Sequence, residues 1–367
     1  MIAVAPHRLN GPTLAAPQGS QKPSPNAPAP QHSWLGEVWE KAKDTKAGVD
    51  LLIAGSLFLR GINKAAKAEA SKRPLSDMPD VKLNRPVVLC PGWNTEHNKF
   101  DHLTNKLVAS GQNGPATVYL NMGKAYQDNH CTVPLDQIPK NSKVFVNIWD
   151  DPKTPPQHTA VQLQQNMDQI QAALGPTTVD LVGFSMGGLA SRKYLDNGGE
   201  HIGKFVTLGT PHQGTRFGQI CDRLISHKVD WATKFGGLED QDLPAMQWLA
   251  AGKPDLLALN ERWPQQRARV EASLFIRSDL EFTPSTGFLP FASGDGLVQL
   301  THATLPGTPE VVLKGTPLLN HVTMPYDQQV YMEMQKFLGW ETQPNSNAGP
   351  LEPLPQPPRP TTPYGQI

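Results

Sequence analysis

Short unbroken apolar runs alternate with helically spaced ones along residues 85–340. The runs at 85–90, 143–149, 179–182, 204–208, 273–276 and 310–313 are too short for helices. They have the continuous hydrophobicity of parallel strands covered on both faces. A further short run at 117–120 reads as a strand with no evident place in the order. Between them, residues 159–174 have helical period: Leu163, Met167, Ile170 and Leu174 fall on one face, and Gly175-Pro176 stops the helix. This alternation predicts a mostly parallel central sheet flanked by helices, a fold of the α/β class.

Outside this region the pattern changes. Trp34, Leu35, Val38, Trp39 and Ala42 recur on one helical face, and an apolar patch at 49–59 encloses Asp50 between Lys46 and Arg60, Lys64 and Lys67. The patch is too short and too charged to span a bilayer. It reads as an amphipathic helix, packed on its own domain or lying in a membrane interface. Residues 1–33 and 342–367 hold 15 of the 36 prolines and show no apolar period. Segments of this kind bury too little surface to offset their ordering entropy. The run at 353–360 samples polyproline II, as a solvated tail or a docking peptide. The expected organisation is a proline-rich arm (1–33), a helical extension (34–84), a folded domain (85–341) and a proline-rich tail (342–367).

Charge adds little to this picture. Lysine plus arginine equals aspartate plus glutamate at 33 each, which removes the electrostatic footprint of a nucleic-acid binder. The N-terminus lacks the pattern of a secretory signal, and no run of 18 apolar residues occurs. A cytoplasmic monomer is the expectation, with unconventional export or peripheral membrane contact through 34–70 as alternatives. Cys90 reads as a small buried hydrophobe, and Cys131 with Cys221 is the remaining bridge to consider.

The chemistry is concentrated at Gly183-Phe184-Ser185-Met186-Gly187, directly after an apolar strand and before the helical run 189–195. A serine exposed on a strand-to-helix turn needs a strained backbone, and glycine at 183 and 187 removes the clash that side chains would cause there. The helix that starts at the serine also aims its N-terminal dipole at any oxyanion formed beside it.

Four blocks in order make residues 85–340 resemble the α/β-hydrolase superfamily, and within it the bacterial triacylglycerol lipases and esterases. They are Val87-Val88-Leu89-Cys90-Pro91-Gly92-Trp93, the serine block with Gly188, Leu208-Gly209-Thr210-Pro211-His212-Gln213-Gly214-Thr215, and Gly294-Asp295-Gly296-Leu297-Val298 followed by His321. The resemblance implies the α/β-hydrolase fold and a triad of Ser185, Asp295 and His321, with Asp279 as the rival acid. It implies an oxyanion hole from the backbone N–H groups of Trp93 and Met186, a loop-shaping role for His212, and no metal or organic cofactor. Such lipases usually carry His-Gly where this chain has Pro91-Gly92, which leaves the orientation of that loop without its usual support. The insertion at 216–270 is expected to form a lid or a fixed cap. Trp93, Asn94, Phe184, Met246 and Trp248 are the expected substrate contacts. The implied substrate is an ester or lipid; acyl transfer, thioester cleavage and a non-catalytic binding module are the competing readings.

Overall fold

A computed structural model describes residue 68 and residues 74–226, 239–280, 283–284, 291–314 and 319–343. The proline-rich arm at 1–33, residues 34–67 and 69–73 of the proposed extension, and the tail from 344 onward lie outside the described residues. The first strands are β1 (Val81–Lys82) and β2 (Val87–Cys90), followed by α1 (Asp101–Val108). Next come β3 (Val118–Asn121), β4 (Lys124–Tyr126), β5 (Val144–Asn147), α2 (Pro156–Leu174), β6 (Val179–Phe184), α3 (Met186–Asp196) and β7 (Ile202–Leu208). Among the described residues of the insertion are four helices: α4 (Arg216–Ser226), α5 (Leu243–Leu249), α6 (Pro254–Glu261) and α7 (Trp263–Arg267). The described residues finish with β8 (Ala272–Asp279), β9 (Thr283–Pro284), β10 (Phe291–Ala292), β11 (Glu310–Lys314), α8 (Gln328–Leu338) and β12 (Glu341–Thr342).

Eight strands form one sheet in the order β11-β8-β7-β6-β2-β5-β3-β4, parallel except for the antiparallel edge pair β3–β4. The unplaced run at 117–120 finds its position here, as a strand parallel to β5 that turns through Met122 and Gly123 into the edge. Alternate residues of each strand feed two separate cores. Val87, Leu89, Val182 and Phe184 pack with Leu103 and Leu107 of α1 and with Val330, Tyr331 and Met334 of α8. Val88, Cys90, Leu181 and Phe205 pack on the other side with Leu163, Met167 and Ile170 of α2 and Tyr194 and Leu195 of α3. Burial on both faces is why these strands read as unbroken apolar runs.

After β2 the chain builds β3, β4 and β5 to one side, and from β6 onward it builds to the other. The loops leaving β2 and β6 therefore diverge at adjacent strand ends, and such a reversal leaves a crevice at the carboxyl edge of a sheet.

Two boundaries differ from the sequence expectation. Residues 74–84 hold a 3-10 turn, Leu75–Asp77, and strand β1 rather than helix. Thr342 belongs to β12, which pairs antiparallel with β1, and the Gln343 N–H donates to the Asp80 carbonyl. Neither two-residue strand has a signal of its own, because each exists only through a partner at the opposite end of the domain. Cys90, Cys131 and Cys221 are all free thiols, so the bridge considered between Cys131 and Cys221 is not formed. Burial pushes the Cys90 thiol up to about 12, consistent with an inert core residue.

Candidate active site

Strand β6 is buried along its whole length and ends at Phe184. Ser185 follows at φ 54°, ψ −128°, a conformation that side-chain-bearing residues rarely adopt. Its backbone N–H donates to the Leu208 carbonyl at the end of β7 at 2.9 Å. Two glycines make the turn sterically feasible. A Cβ on Gly187 would lie 2.5 Å from the Pro91 carbonyl oxygen and closer still to that of Cys90, so α3 approaches the turn after β2 only because that atom is missing. A Cβ on Gly183 would come within 2.5 Å of the Gly188 Cα.

The Ser185 hydroxyl faces His321. Nε2 lies 2.9 Å from Oγ, and Nδ1 lies 2.7 Å from Asp295 Oδ2. The other oxygen of Asp295 accepts the backbone N–H groups of Leu297 (3.0 Å) and Val298 (2.7 Å). The Asp295 carbonyl in turn accepts the His321 N–H at 2.8 Å. Both side chains are buried, with the imidazole ring 5.2 Å from the Phe184 ring. Gly209 (φ 55°) lets the β7 turn pass beneath them, since a Cβ there would meet Asp295 Oδ2 at 2.7 Å. Asp279, at the end of β8, is paired in register with Lys314 and is not the imidazole's partner. His302 lies elsewhere, with Nδ1 2.9 Å from the Gly214 carbonyl.

Trp93 and Met186 flank the serine. Met186 opens α3, so its N–H is among those a helix leaves without an intrahelical acceptor. The turn carrying Trp93 comes so near that a Cβ on Gly92 would lie 2.8 Å from the Ser185 Cβ. With Pro91 in place of the usual histidine, other groups support this turn. Trp149 Nε1 donates to the Pro91 carbonyl at 2.9 Å, and the Asn94 N–H donates to the Pro152 carbonyl at 2.9 Å. Neither support was legible in the sequence, where Trp149 reads simply as the end of a strand.

A cavity of about 240 Å³ opens over Ser185 and His321. Trp93, Asn94 and Phe184 line it, as expected, together with Phe217, Leu249, Leu297, Val298 and Val322. Met246 and Trp248 do not. They are buried with Met186, Leu189, Cys221 and Leu256 in the core that joins the insertion to α3. An apolar residue on a short helix can face a cavity or a neighbouring helix, and α5 turns these two inward. Leu297, Val298 and Val322 had a readable signal, since they directly follow Asp295 and His321 in the blocks already singled out.

The described part of the insertion, which omits residues 227–238, is fixed to the domain by buried polar bonds. Arg192, fully buried on α3, donates from Nε to Gln266 Oε1 (2.9 Å), from Nη1 to Asn260 Oδ1 (2.8 Å) and from Nη2 to the Leu259 carbonyl (2.9 Å). Burial pushes its guanidinium down to about 9. His212 lies against it, with Nδ1 3.4 Å from Nη1 and the ring stacked on Phe275 at 4.1 Å. Burial, with the Arg192 charge second, holds this imidazole well below its ordinary value, so it stays neutral. Lys153 reaches buried Asp242 at 3.3 Å and ties the start of α5 to the loop after β5.

Comparison with known proteins gives a match to part of the chain. The palmitoyl protein thioesterase family matches residues 86–242, from β2 to the start of the cap. The strand order, the diverging loops and the strained serine between β6 and α3 settle the fold.

The chain has the α/β-hydrolase fold.

Two relatives of the chain are triacylglycerol lipases, from Pseudarthrobacter phenanthrenivorans and Burkholderia plantarii. Each is 39% identical over 64 residues, 17% of this chain and 20% and 18% of theirs. The match thus spans about a fifth of those lipases. Among solved structures, a Bacillus licheniformis lipase in its propeptide form aligns at TM-score 0.49 and 18% identity, over 72% of this chain and 52% of the other. A Listeria innocua gene product aligns at TM-score 0.46 and 19% identity, over 69% and 93%.

Proposed function

We propose that this α/β-hydrolase cleaves carboxylic esters through an acyl-enzyme on Ser185. The observation that carries the reading is the unbroken contact Ser185 Oγ–His321 Nε2–Nδ1–Asp295 Oδ2, at 2.9 and 2.7 Å, on the floor of an apolar cavity. In the neutral tautomer His321 Nδ1–H donates to Asp295, leaving Nε2 to take the Ser185 proton as Oγ attacks the carbonyl carbon. Asp295 cannot turn, because Leu297 and Val298 hold its other oxygen. The Trp93 and Met186 N–H groups receive the developing oxyanion, and the imidazolium returns the proton to the departing alkoxide. Water, activated by His321, then releases the acid and regenerates the serine.

Cleavage of a thioester is the second reading, favoured by the thioesterase family's match over 86–242. The same atoms serve both, since only the leaving group differs. The anchoring of the described part of the cap favours smooth saturation on an emulsified ester, with no jump at the solubility limit.

The test is hydrolysis of matched p-nitrophenyl esters and acyl thioesters of increasing chain length, wild type beside Ser185→Ala. Turnover should fall by about 10⁴-fold or more in the variant. Turnover that survives in folded Ser185→Ala would remove Ser185 as nucleophile. The preferred leaving atom, oxygen or sulfur, decides between the two substrate readings.

A further inference from the structure

Strand β11 closes one end of the eight-stranded sheet, and among the described residues no strand pairs with its outer side. The backbone register shows which of its groups face outward. The Phe275 N–H of β8 donates to the Pro309 carbonyl, so position 309 presents its backbone inward. Successive residues of a strand turn their N–H and C=O groups to opposite sides, so 311 and 313 also face β8. Glu310, Val312 and Lys314 therefore present theirs to the open edge. Their side chains share one face of the sheet and are exposed, Val312 at 46%. Val311 and Leu313 turn the other way, into the core that holds Val330 and Tyr331 of α8. An open edge is ordinarily blunted by charge or by a covering segment. Here the two charges are of opposite sign and flank an apolar centre, a pattern that reads the same on a copy of the strand turned around.

We propose that β11 pairs with β11 of a second copy of this chain, antiparallel about a two-fold axis at Val312, which joins two eight-stranded sheets into one. In that register Val312 lies opposite Val312 of the second copy, and each Glu310 lies opposite a Lys314. All three outward-facing residues then meet outward-facing residues, giving about six backbone hydrogen bonds. Moving the axis to 311 or 313 sets a charge against Val312. Moving it to 310 or 314 sets like charges face to face, which destabilises a strand pair. Glu310 already meets the Arg277 guanidinium and the Thr304 hydroxyl. A carboxylate has about four acceptor sites, so Lys314 of the second copy adds to those contacts without displacing them. An exposed charge pair contributes only about 0.2–1 kcal/mol; the backbone bonds and the paired valines supply the affinity, and the charges choose the register. No residue of β11 lines the cavity over Ser185, so this inference does not depend on ester chemistry.

The experiment is sedimentation velocity on the full chain from about 1 to 100 μM, wild type beside Val312→Lys and Lys314→Glu. Wild type should show a monomer–dimer equilibrium in that range. Val312→Lys sets two ammonium groups at the axis, and Lys314→Glu sets two carboxylates together at either end. Each should weaken the dimer by about tenfold or more. Both positions are exposed, so circular dichroism should show the fold intact. The register is read with Val312→Cys under oxidation by copper–phenanthroline. The Cα atoms of such a pair stand about 5.5 Å apart, within reach of a disulfide. That variant should cross-link into a covalent dimer, whereas Val133→Cys, exposed beside the opposite edge strand β4, should not. A wild type that stays monomeric at about 100 μM overturns the proposal and leaves the edge to a strand from another protein. A dimer that tolerates Val312→Lys, or that fails to cross-link at 312, also overturns it, since its interface would lie elsewhere. A dimer lost in Val312→Lys but unmoved by Lys314→Glu overturns the register about Val312.

Discussion

Ser185 sits at φ 54°, ψ −128°, so the nucleophile position should be a site of stored backbone strain. A residue with a side chain held in such a region costs on the order of 1–3 kcal/mol. Glycine at 185 would release that strain. It would also return about 0.5–1 kcal/mol of freedom to the unfolded chain, which opposes the gain. Ser185 is only half-buried, so deleting its Cβ leaves no enclosed void. Alanine is the necessary reference, because it loses the hydroxyl and its contact with His321 but keeps the Cβ and the strain. The net expectation is that Ser185→Gly is more stable than Ser185→Ala by about 0.5–2 kcal/mol, or a few degrees in Tm for a domain of this size. The assay is equilibrium urea unfolding followed by circular dichroism, with equal m-values required for the comparison. Neither variant should turn over ester. If the glycine variant is no more stable than the alanine one, the turn is unstrained and this reasoning is refuted.

Three further outcomes follow from the geometry. Arg192→Met should cost about 2–4 kcal/mol in urea unfolding, because it strands the buried acceptors on Asn260, Gln266 and Leu259; Arg192→Lys, lacking the planar fork, should recover only part of it. His212 has a folded-state pKa below its unfolded one, so below about pH 6.5 the unfolded chain binds the extra proton and stability falls as pH falls, by up to about 1.4 kcal/mol per pH unit. His212→Asn should remove that part of the slope, and parallel urea titrations between pH 7 and 5 are the check. Gly187→Ala should lower kcat/KM by about 10²-fold or more, since its Cβ would force α3 away from the Cys90 and Pro91 carbonyls; near-wild-type kinetics would contradict the close approach.

What was legible in the sequence is what depends on neighbours along the chain. The serine turn shows because its glycines sit two residues to either side, and the strands show because burial on both faces leaves no polar position. Met246 and Trp248 were misplaced because apolar spacing on a seven-residue helix reveals that a face is buried but not against what. Trp149 and Arg192 were missed for a related reason. Each acts through a carbonyl or side chain far away in sequence, at Pro91 and Leu259, and no local pattern marks such a bond. The same holds for strands β1 and β12, two residues each, which are defined only by one another.

That last pair makes the domain topologically close to a ring. Val81 faces Thr342 and Lys82 faces Glu341, so two short strands far apart in sequence close on one another. No residue that lines the cavity comes from either strand. A covalent link between residues 80 and 343 would therefore tie these two strands together without touching the site. In this domain the closure of β1 on β12 is separable from the geometry of Ser185, His321 and Asp295.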